Sequence, residues 1–205
     1  MIQSIIFDSI PNHVIIGGID YPINFGYRAM MAIEIEMFGE NNDEQKILNA
    51  LNMFYLKNIP ENTDEAIRYM LWFHRCGEPE GKRTGSGRRT SRAYCFKKDA
   101  PYLYAAFLEQ YGIDLRRTKS NDLHWWEFMA MFESLSEGTK MAKIMYWRTC
   151  DLNQLSKKEK KFVKAMRNMY AIKTSDENMD SRTKLAKRNA DMKEYVRKRM
   201  EECGR

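Results

Sequence analysis

Apolar residues recur at intervals of three and four along most of this chain, and this spacing limits the fold more than any other feature of the sequence. Several of these segments begin at a capping residue, and three of them end at a glycine. The predicted helices span Tyr27–Phe38, Asp43–Leu56, Asn62 to the stop at Gly77, Asp99 to the stop at Gly112, Asn121–Leu135, Thr139–Thr149, Ser156–Ile172 and a last segment from about Ser175.

Three of these segments carry more specific expectations. Tyr27–Phe38 is apolar almost all round, so we expect it to be deeply buried. In the fourth helix Asp99 is expected to be the N-cap, with Pro101 in the first turn. Asn121–Leu135 is the most aromatic segment, and we place it at the centre of the core.

The N-terminal region differs from the rest, because two short β-prone runs flank Gly17 and Gly18. A Gly-Gly pair supplies the positive φ angles that a two-residue hairpin turn needs, so residues 12–23 are predicted to form a β-hairpin. Pro22 restricts the second strand to an edge. The expected fold class is therefore mainly α, a multi-helix bundle with a short N-terminal β-hairpin.

Composition restricts the class of protein further. Apolar residues make up 43% and charged residues 30% of the 205 residues, which is a globular balance. No apolar run approaches the roughly 18–20 residues that cross a bilayer, and the first residues lack the pattern of an export signal. The scattered cysteines Cys76, Cys95, Cys150 and Cys203 are expected to be free thiols. These features predict a soluble protein without membrane contact, located in the cytoplasm.

Two segments interrupt the helical pattern and suggest the domain organisation. Residues 77–92 contain four glycines, one proline and no apolar residue, so a flexible basic loop is predicted there. Residues 1–173 are interpreted as one helical domain that includes the hairpin and this loop. Residues 174–205 are predicted to be a charged helix, either extended or bound to a partner, with Leu185, Met192 and Val196 as candidate partner-binding residues.

Cations are concentrated in two places. The loop carries the candidate partner-binding residues Lys82, Arg83, Arg88, Arg89 and Arg92. From Lys157 onward 16 Lys/Arg stand against 8 Asp/Glu, whereas the net charge of the whole chain is +6. Phosphate binding is one interpretation, but the loop has no aromatic residue to stack on bases and acidic residues are interleaved in the tail. Solvated surface or an acidic protein partner fits the same cations, so nucleic acid is the less favoured partner.

Catalytic patterns are missing from the sequence. The Gly77–Gly81 spacing is one residue too short for a phosphate-binding loop, and Arg83 stands where that motif has Ser or Thr. His74 and Cys76 flank the loop together with Cys95, without a fourth ligand at a usable spacing for a metal. His74 and His124 are interpreted as partly buried helix residues that donate hydrogen bonds into the core. We therefore expect a protein that is not an enzyme and has no cofactor and no metal.

Fifteen methionines are the notable compositional excess. Methionine is unbranched and polarizable, so it suits irregular cores and adaptable apolar surfaces. Most are expected in the core. We hypothesise that the surface joining helices Tyr27–Phe38 and Asp43–Leu56 forms a groove for apolar helical segments, covered by the last helix or by a neighbouring subunit.

Four blocks occur in one order along residues 12–170: Asp20-Tyr-Pro-Ile-Asn24, the block Tyr102–Leu115, Leu123-His-Trp-Trp-Glu-Phe128, and Tyr146-Trp-Arg-Thr-Cys-Asp-Leu152. This succession resembles the gene-product-fifteen family of phages and prophages of Gram-positive bacteria. The resemblance implies a place in the tail-gene module as a tail assembly chaperone. Such a protein would bind the tape-measure protein and the tail-tube protein in the host cytoplasm and be absent from the mature virion.

Several alternatives stay open at this point. The chain could instead be a structural component of the virion, in the tail or connector, or a regulatory protein that binds nucleic acid through the basic loop and the last helix. A homo-oligomer is also compatible with the sequence. The family resemblance supplies no catalytic residues, and the stretch 81–92 departs from the blocks that carry it.

Overall fold

The computed structural model describes residues 5–79 and 92–172, which form a mainly helical fold with an N-terminal hairpin, as expected. Two strands come first, and seven α-helices and two short 3₁₀ turns follow. The elements are β1 His13–Ile16, β2 Ile19–Pro22, α1 Tyr27–Met37, α2 Asp43–Phe54, α3 Thr63–His74, α4 Phe96–Tyr111, a 3₁₀ turn Ser120–Asp122, α5 Trp125–Glu133, α6 Lys140–Thr149, a 3₁₀ turn Leu152–Gln154 and α7 Lys157–Met169.

The hairpin is antiparallel, with Ile16 opposite Ile19 across the turn. Gly17 and Gly18 have φ angles of +57° and +79°, so the predicted use of glycine in this turn is confirmed. Val14 and Ile16 are buried, whereas Ile15 points to solvent, as the alternation along a strand requires. β1 packs against α3, which supplies the cover that a lone hairpin needs.

Helix caps that were readable in the sequence are present. The Asn62 side chain accepts a hydrogen bond from the Glu65 N–H at the start of α3, and Thr139 caps α6 in the same way. Ser156 and Glu159 form the reciprocal capping box of α7. At the C-terminal end of α4, Gly112 adopts the left-handed conformation that ends a helix.

The expectation that the first helix is deeply buried is wrong for its last turn. Tyr27, Met30 and Ile33 are buried on one face of α1, but 62% of the Phe38 surface is exposed. The chain reverses at residues 39–42, and α2 then packs along only one side of α1. The apolar sequence of α1 therefore serves both the core and the outer surface.

The expected start of α4 is also wrong. The helix begins at Phe96, one turn before the predicted cap, and Pro101 lies inside it. The Asp99 carboxylate accepts the backbone N–H of Cys95 at 2.8 Å, so it supports the helix start from within. Asp99 is also 1% exposed and paired with Arg148 on α6, a partner that local sequence does not reveal.

Helix α5 lies at the centre of the core, as predicted, although it is shorter than the segment Asn121–Leu135. The rings of Tyr27, Phe107, Trp125 and Phe132 all stack on Phe128, with centroid separations of 4.9–6.0 Å. Helix α5 thus joins α1 and α4 through one buried ring. The segment before it is extended, because the Trp125 N–H and the Leu123 carbonyl bond to the backbone around residues 25–27.

The C-terminal end of α3 is held by indole groups. Trp125 and Trp126 donate their Nε1–H groups to the carbonyls of His74 and Phe73, at 3.0 and 2.9 Å. Trp72 donates its own to the Gly77 carbonyl at 3.1 Å. The last carbonyls of a helix have no donor within the helix. The bonds from Trp125 and Trp126 supply donors to two of them, which would otherwise need water. A Cβ on Gly77 would lie 2.9 Å from the Trp126 ring.

His124 is a buried cap rather than a residue within a helix. Its Nδ1 accepts the backbone N–H of Trp126 at 3.0 Å, so Nε2 carries the proton and donates to the Pro11 carbonyl at 2.9 Å. The expected hydrogen bond is present, but its acceptor lies in the half-buried segment before β1 and not in the core. Burial lowers the pKa of His124, so the folded protein favours the neutral imidazole.

The Arg148–Asp99 pair connects three parts of the fold. The guanidinium makes two parallel bonds to the carboxylate, one of them 2.8 Å between Nη2 and Oδ1. It also donates to the Ala93 carbonyl at 3.0 Å and to the Tyr170 carbonyl at 2.8 Å. One buried side chain of α6 therefore fixes the start of α4, the segment before it and the residue that follows α7.

We expect Gly77→Ala to destabilise the protein more than Gly112→Ala does. Both glycines have positive φ, which costs an L-residue roughly 1–2 kcal/mol. Only at position 77 does the new methyl group also meet a ring, adding roughly 1–3 kcal/mol of overpacking. Urea denaturation measures both, with Gly138→Ala as the control that has neither cost. Equal losses for the first two variants would contradict the packing argument.

Arg148→Met should reduce the free energy of unfolding by about 3–5 kcal/mol, because it leaves Asp99 buried without its counter-charge. The double variant Asp99→Leu/Arg148→Met should lose less than the sum of the two single variants. A double-mutant cycle from chemical denaturation measures the difference. Arg68→Met, at an exposed position of α3, is the control and should change stability by less than about 0.5 kcal/mol. A loss at Arg148 no larger than at Arg68 would refute this.

The stability of the protein should fall on acidification because of His124. The imidazole pKa is lowered in the folded state, so below pH 6.5, its ordinary value, the unfolded chain binds more protons. The contribution is complete above that pH and is lost toward the lower folded pKa, by at most about 1.4 kcal/mol per pH unit. His124→Asn keeps a capping oxygen and does not titrate. The stability gap between wild type and variant should therefore shrink from pH 7.5 to 5, and a constant gap would contradict this.

Candidate interaction surface

Of the binding residues predicted from the sequence, one lies within the described residues. Arg92 is described, whereas Lys82, Arg83, Arg88 and Arg89 lie outside the described ranges, and so do Leu185, Met192 and Val196. Their role in partner binding stays a prediction. The predicted last helix, which was one of two expected covers of the hypothesised groove beside a neighbouring subunit, also lies outside these ranges.

Arg92 makes two contacts within the chain. Its Nη2 lies 2.8 Å from Glu34 Oε1, and its guanidinium carbon lies 3.4 Å from the centroid of the Phe38 ring. The Glu34 side chain is only 7% exposed, so this ion pair is shielded from solvent. Any partner that recruits Arg92 must compete with these contacts.

Glu34 is the centre of a small polar cluster that the sequence did not reveal. His74 Nε2 lies 3.5 Å from one carboxylate oxygen, and the Tyr94 hydroxyl donates to it at 3.5 Å. Burial is the largest cause that raises the pKa of Tyr94, and the Glu34 charge raises it further. The cluster therefore brings His74 together with Arg92 and Tyr94, which lie on the other side of segment 80–91 in the sequence, at one carboxylate on α1.

The thiols and histidines near this cluster were considered for metal or nucleophilic chemistry. In residues 5–79 and 92–172, no group of three His, Cys, Asp or Glu side chains is placed to hold a metal ion. Burial raises the pKa of the Cys76 thiol to about 12, so it is protonated near neutral pH and a poor nucleophile. Nothing in this geometry resembles an activated thiol.

The helices of the hypothesised groove, α1 and α2, pack directly against each other and expose apolar side chains. Met37 and Phe38 lie at the end of α1, and Leu48, Met53 and Leu56 lie on or just after α2. Their exposed fractions are 37, 62, 48, 36 and 58%. We call these five residues the apolar set. Met37 and Phe38 lie at the α1–α2 connection, and Met53 and Leu56 lie at the opposite end of this helical hairpin, so the set is spread along its length.

The connection between α1 and α2 carries a group of carboxylates. Glu40, Asp43 and Glu44 are exposed, and Glu36 accepts hydrogen bonds from Asn41 and Asn49 at 2.7 Å each. The Asn49 bond, followed by the Asn41 bond, lowers the pKa of Glu36. Lys46 is a nearby cation, 3.7 Å from Asp43. Together with Met37 and Phe38, these four carboxylates form what we call the acidic corner.

Helix α7 presents the opposite charge. Lys157, Lys161 and Lys164 are spaced by four and three residues, so they lie on one exposed side of the helix. The other lysines of the helix are Lys158 and Lys160, and its one acidic residue is Glu159. Phe162 and Met169 are seven residues apart and lie next to this row of lysines. Their exposed fractions are 55 and 65%. We call these seven lysine and apolar residues the basic face.

Some charges in each region oppose the dipole of their own helix. Four lysines lie in the first five residues of α7, where the dipole favours acidic groups, and like charges three or four apart cost roughly 0.2–0.5 kcal/mol per pair. Glu36 lies in the last turn of α1, where the dipole favours cations, and that turn has no basic residue. Helix stability therefore does not explain Glu36 or the lysines of α7, whereas Asp43 and Glu44 lie in the first turn of α2, where the dipole favours them.

Sequence reasoning named neither charged region as a site, although a signal was present. The lysines of α7 were counted within the basic tail but not compared with the polarity of their helix. The apolar residues of α1 and α2 were recognised, but which of them are exposed depends on tertiary packing. The Glu34 cluster joins residues up to 60 positions apart, so no local pattern indicates it.

Comparisons with known proteins give one match. The family model described as "Bacteriophage Gp15 protein" matches residues 6–172. No curated protein and no solved structure matches the chain. Within the described residues, no helix combines the length and the apolar character needed to cross a membrane.

Proposed function

We propose a function from one premise: the chain belongs to the Bacteriophage Gp15 protein family, whose model covers residues 6–172. Membership indicates a phage structural or assembly protein. Within that class we propose a non-enzymatic tail assembly chaperone that binds the tape-measure protein and tail-tube subunits in the host cytoplasm. It would leave before the virion is complete.

The observation that carries this proposal is the apolar set. A binding protein for apolar helical segments needs exposed apolar side chains on a firm support, and α1 and α2 are held by the buried core beneath them. Two of the five side chains are methionines, which can adapt to more than one client geometry. A tape-measure protein, being long and helical, would supply apolar seams of this kind.

The set is also suited to transient binding. Its members are partly exposed and spread along the α1–α2 hairpin, so each offers only a small apolar contact. Binding through a few adaptable apolar contacts allows release, which a chaperone needs and a permanent structural subunit does not. A structural component of the virion is the competing function, and the experiment below separates the two.

Co-expression with a fragment of the tape-measure protein tests the proposal. We expect the fragment to co-purify and to become more soluble. The triple variant Leu48→Gln/Met53→Gln/Leu56→Gln should weaken capture at least about tenfold, since each truncated apolar contact contributes roughly 1 kcal/mol or more. These positions are exposed, so the variant should keep the wild-type melting temperature.

The control variant replaces three exposed apolar side chains outside the apolar set with Gln. Leu71→Gln/Leu108→Gln/Tyr146→Gln removes three exposed apolar side chains from α3, α4 and α6, and it should bind as wild type does. Equal losses for both triple variants would argue against the apolar set. Mass spectrometry of purified particles provides the second measurement, and stoichiometric copies in finished phage would favour the structural function instead.

A further inference from the structure

We propose that the acidic corner of one chain docks on the basic face of a second copy of the same chain. The inference goes beyond the proposed function, because it concerns self-association and not the client. It rests on the residues at the end of the α1–α2 hairpin and on the outer side of α7. The partner is therefore fully specified by its chemistry: an identical molecule.

The charges of the two regions are complementary. The acidic corner has four carboxylates, at Glu36, Glu40, Asp43 and Glu44, and two cations of the described residues lie at it: Lys46 beside Asp43, and Arg92 against the Phe38 ring. The basic face has five lysines, and Glu159 is the acidic residue beside it. Hydrogen bonds that lower the pKa of Glu36 keep it ionised, and the other three carboxylates are exposed, so the corner is negative at neutral pH.

Each region also adds two exposed apolar side chains to its charges. Met37 and Phe38 lie beside the carboxylates, and Phe162 and Met169 lie beside the lysines. An interface needs apolar contacts that exclude water and charges at its rim that set orientation. Both regions therefore hold exposed apolar groups as well as charges, which a purely electrostatic surface would not need.

The dimensions of the two regions agree. Lys157 and Lys164 are seven residues apart, which corresponds to about 10 Å along the helix. Two packed helices such as α1 and α2 have axes roughly 8–10 Å apart, so the end of this hairpin presents a surface of similar width. The row of lysines and the end of the hairpin are therefore of comparable width.

The helix dipoles provide an independent argument. The lysines at the start of α7 and Glu36 at the end of α1 each oppose the dipole of their own helix. Charges that help a helix would have the reverse sign at these ends. Placing the two regions together brings Glu36 and the lysines of α7 near opposite charges, so association reduces the cost of these charges. Asp43 and Glu44 lie in the first turn of α2 and already interact favourably with its dipole.

Nucleic acid is the competing ligand for lysines, and the structure favours it less. A phosphate backbone would use the ammonium groups but not the heptad-spaced pair Phe162 and Met169. The carboxylates of the corner would have no part in such binding. Because corner and face are different surfaces, the contact is heterologous, so successive copies either close into a ring or extend in one direction.

Sedimentation velocity of the full chain, treated with nuclease, tests the proposal. At about 50 mM NaCl we expect the average mass to rise with protein concentration, and at about 500 mM we expect the monomer, because salt screens exposed charges. Two charge-reversed variants are compared: Lys157→Glu/Lys161→Glu/Lys164→Glu on the face, and Glu40→Lys/Asp43→Lys/Glu44→Lys on the corner. Each alone should associate at least tenfold more weakly than wild type.

Mixing the two variants is the decisive step. The reversed face of one variant then meets the reversed corner of the other, so the mixture should recover association. Lys57→Glu/Arg68→Glu/Arg116→Glu, which changes the same total charge at exposed sites elsewhere, should self-associate as wild type does. Circular dichroism verifies that all variants are folded, and Glu40→Gln/Asp43→Asn/Glu44→Gln replaces the corner variant if that one unfolds, with weaker self-association as the expected result.

Three outcomes would overturn the proposal. The first is a wild-type protein that stays monomeric at low salt and high concentration. The second is a mixture of variants, both folded, that remains dissociated. The third is association that disappears after nuclease treatment, which would assign the lysines of α7 to nucleic acid. None of these outcomes depends on tape-measure binding, so the two proposals stand or fall separately.

Discussion

The buried pair of Arg148 and Asp99 is the interaction on which the rest of this structure depends. Both side chains are almost fully enclosed, and the guanidinium also binds two backbone carbonyls. A buried charge is tolerated only when its partner and its hydrogen bonds are complete, so this pair allows only one arrangement of α4 and α6. The remaining helices can then pack against a fixed frame, with the α5 aromatics between α1 and α4.

Local sequence was sufficient to predict conformations that depend on residues close together in the chain. The Gly17–Gly18 turn, the cap at Ser156 and the stop at Gly112 depend on backbone geometry within one turn, and all three were predicted. The fold class and the central position of the aromatic helix also followed, because periodicity reports which residues avoid water. These elements fix the architecture in outline.

Features that depend on contacts between residues far apart in the sequence could not be predicted in this way. Asp99 resembles an N-cap, but Arg148, 49 positions away, draws it into the core, and the helix begins earlier. Phe38 resembles a buried residue, and only the packing of α2 determines that it is exposed. The candidate surfaces could not be predicted for a related reason. A charged side chain indicates a binding surface only when its exposure and its position relative to the helix dipole are both known.

Three of the four tryptophans, Trp72, Trp125 and Trp126, direct their indole N–H groups to carbonyls at the end of α3. The ultraviolet emission of this protein is therefore dominated by one junction near the middle of the fold. Trp147, on α6, is the exception, and it lies against Phe162 of α7. An optical change confined to Trp147 would thus report events at α7 while the emission from the interior stays constant. The chain in this way contains separate reporters for its centre and for one of its surfaces.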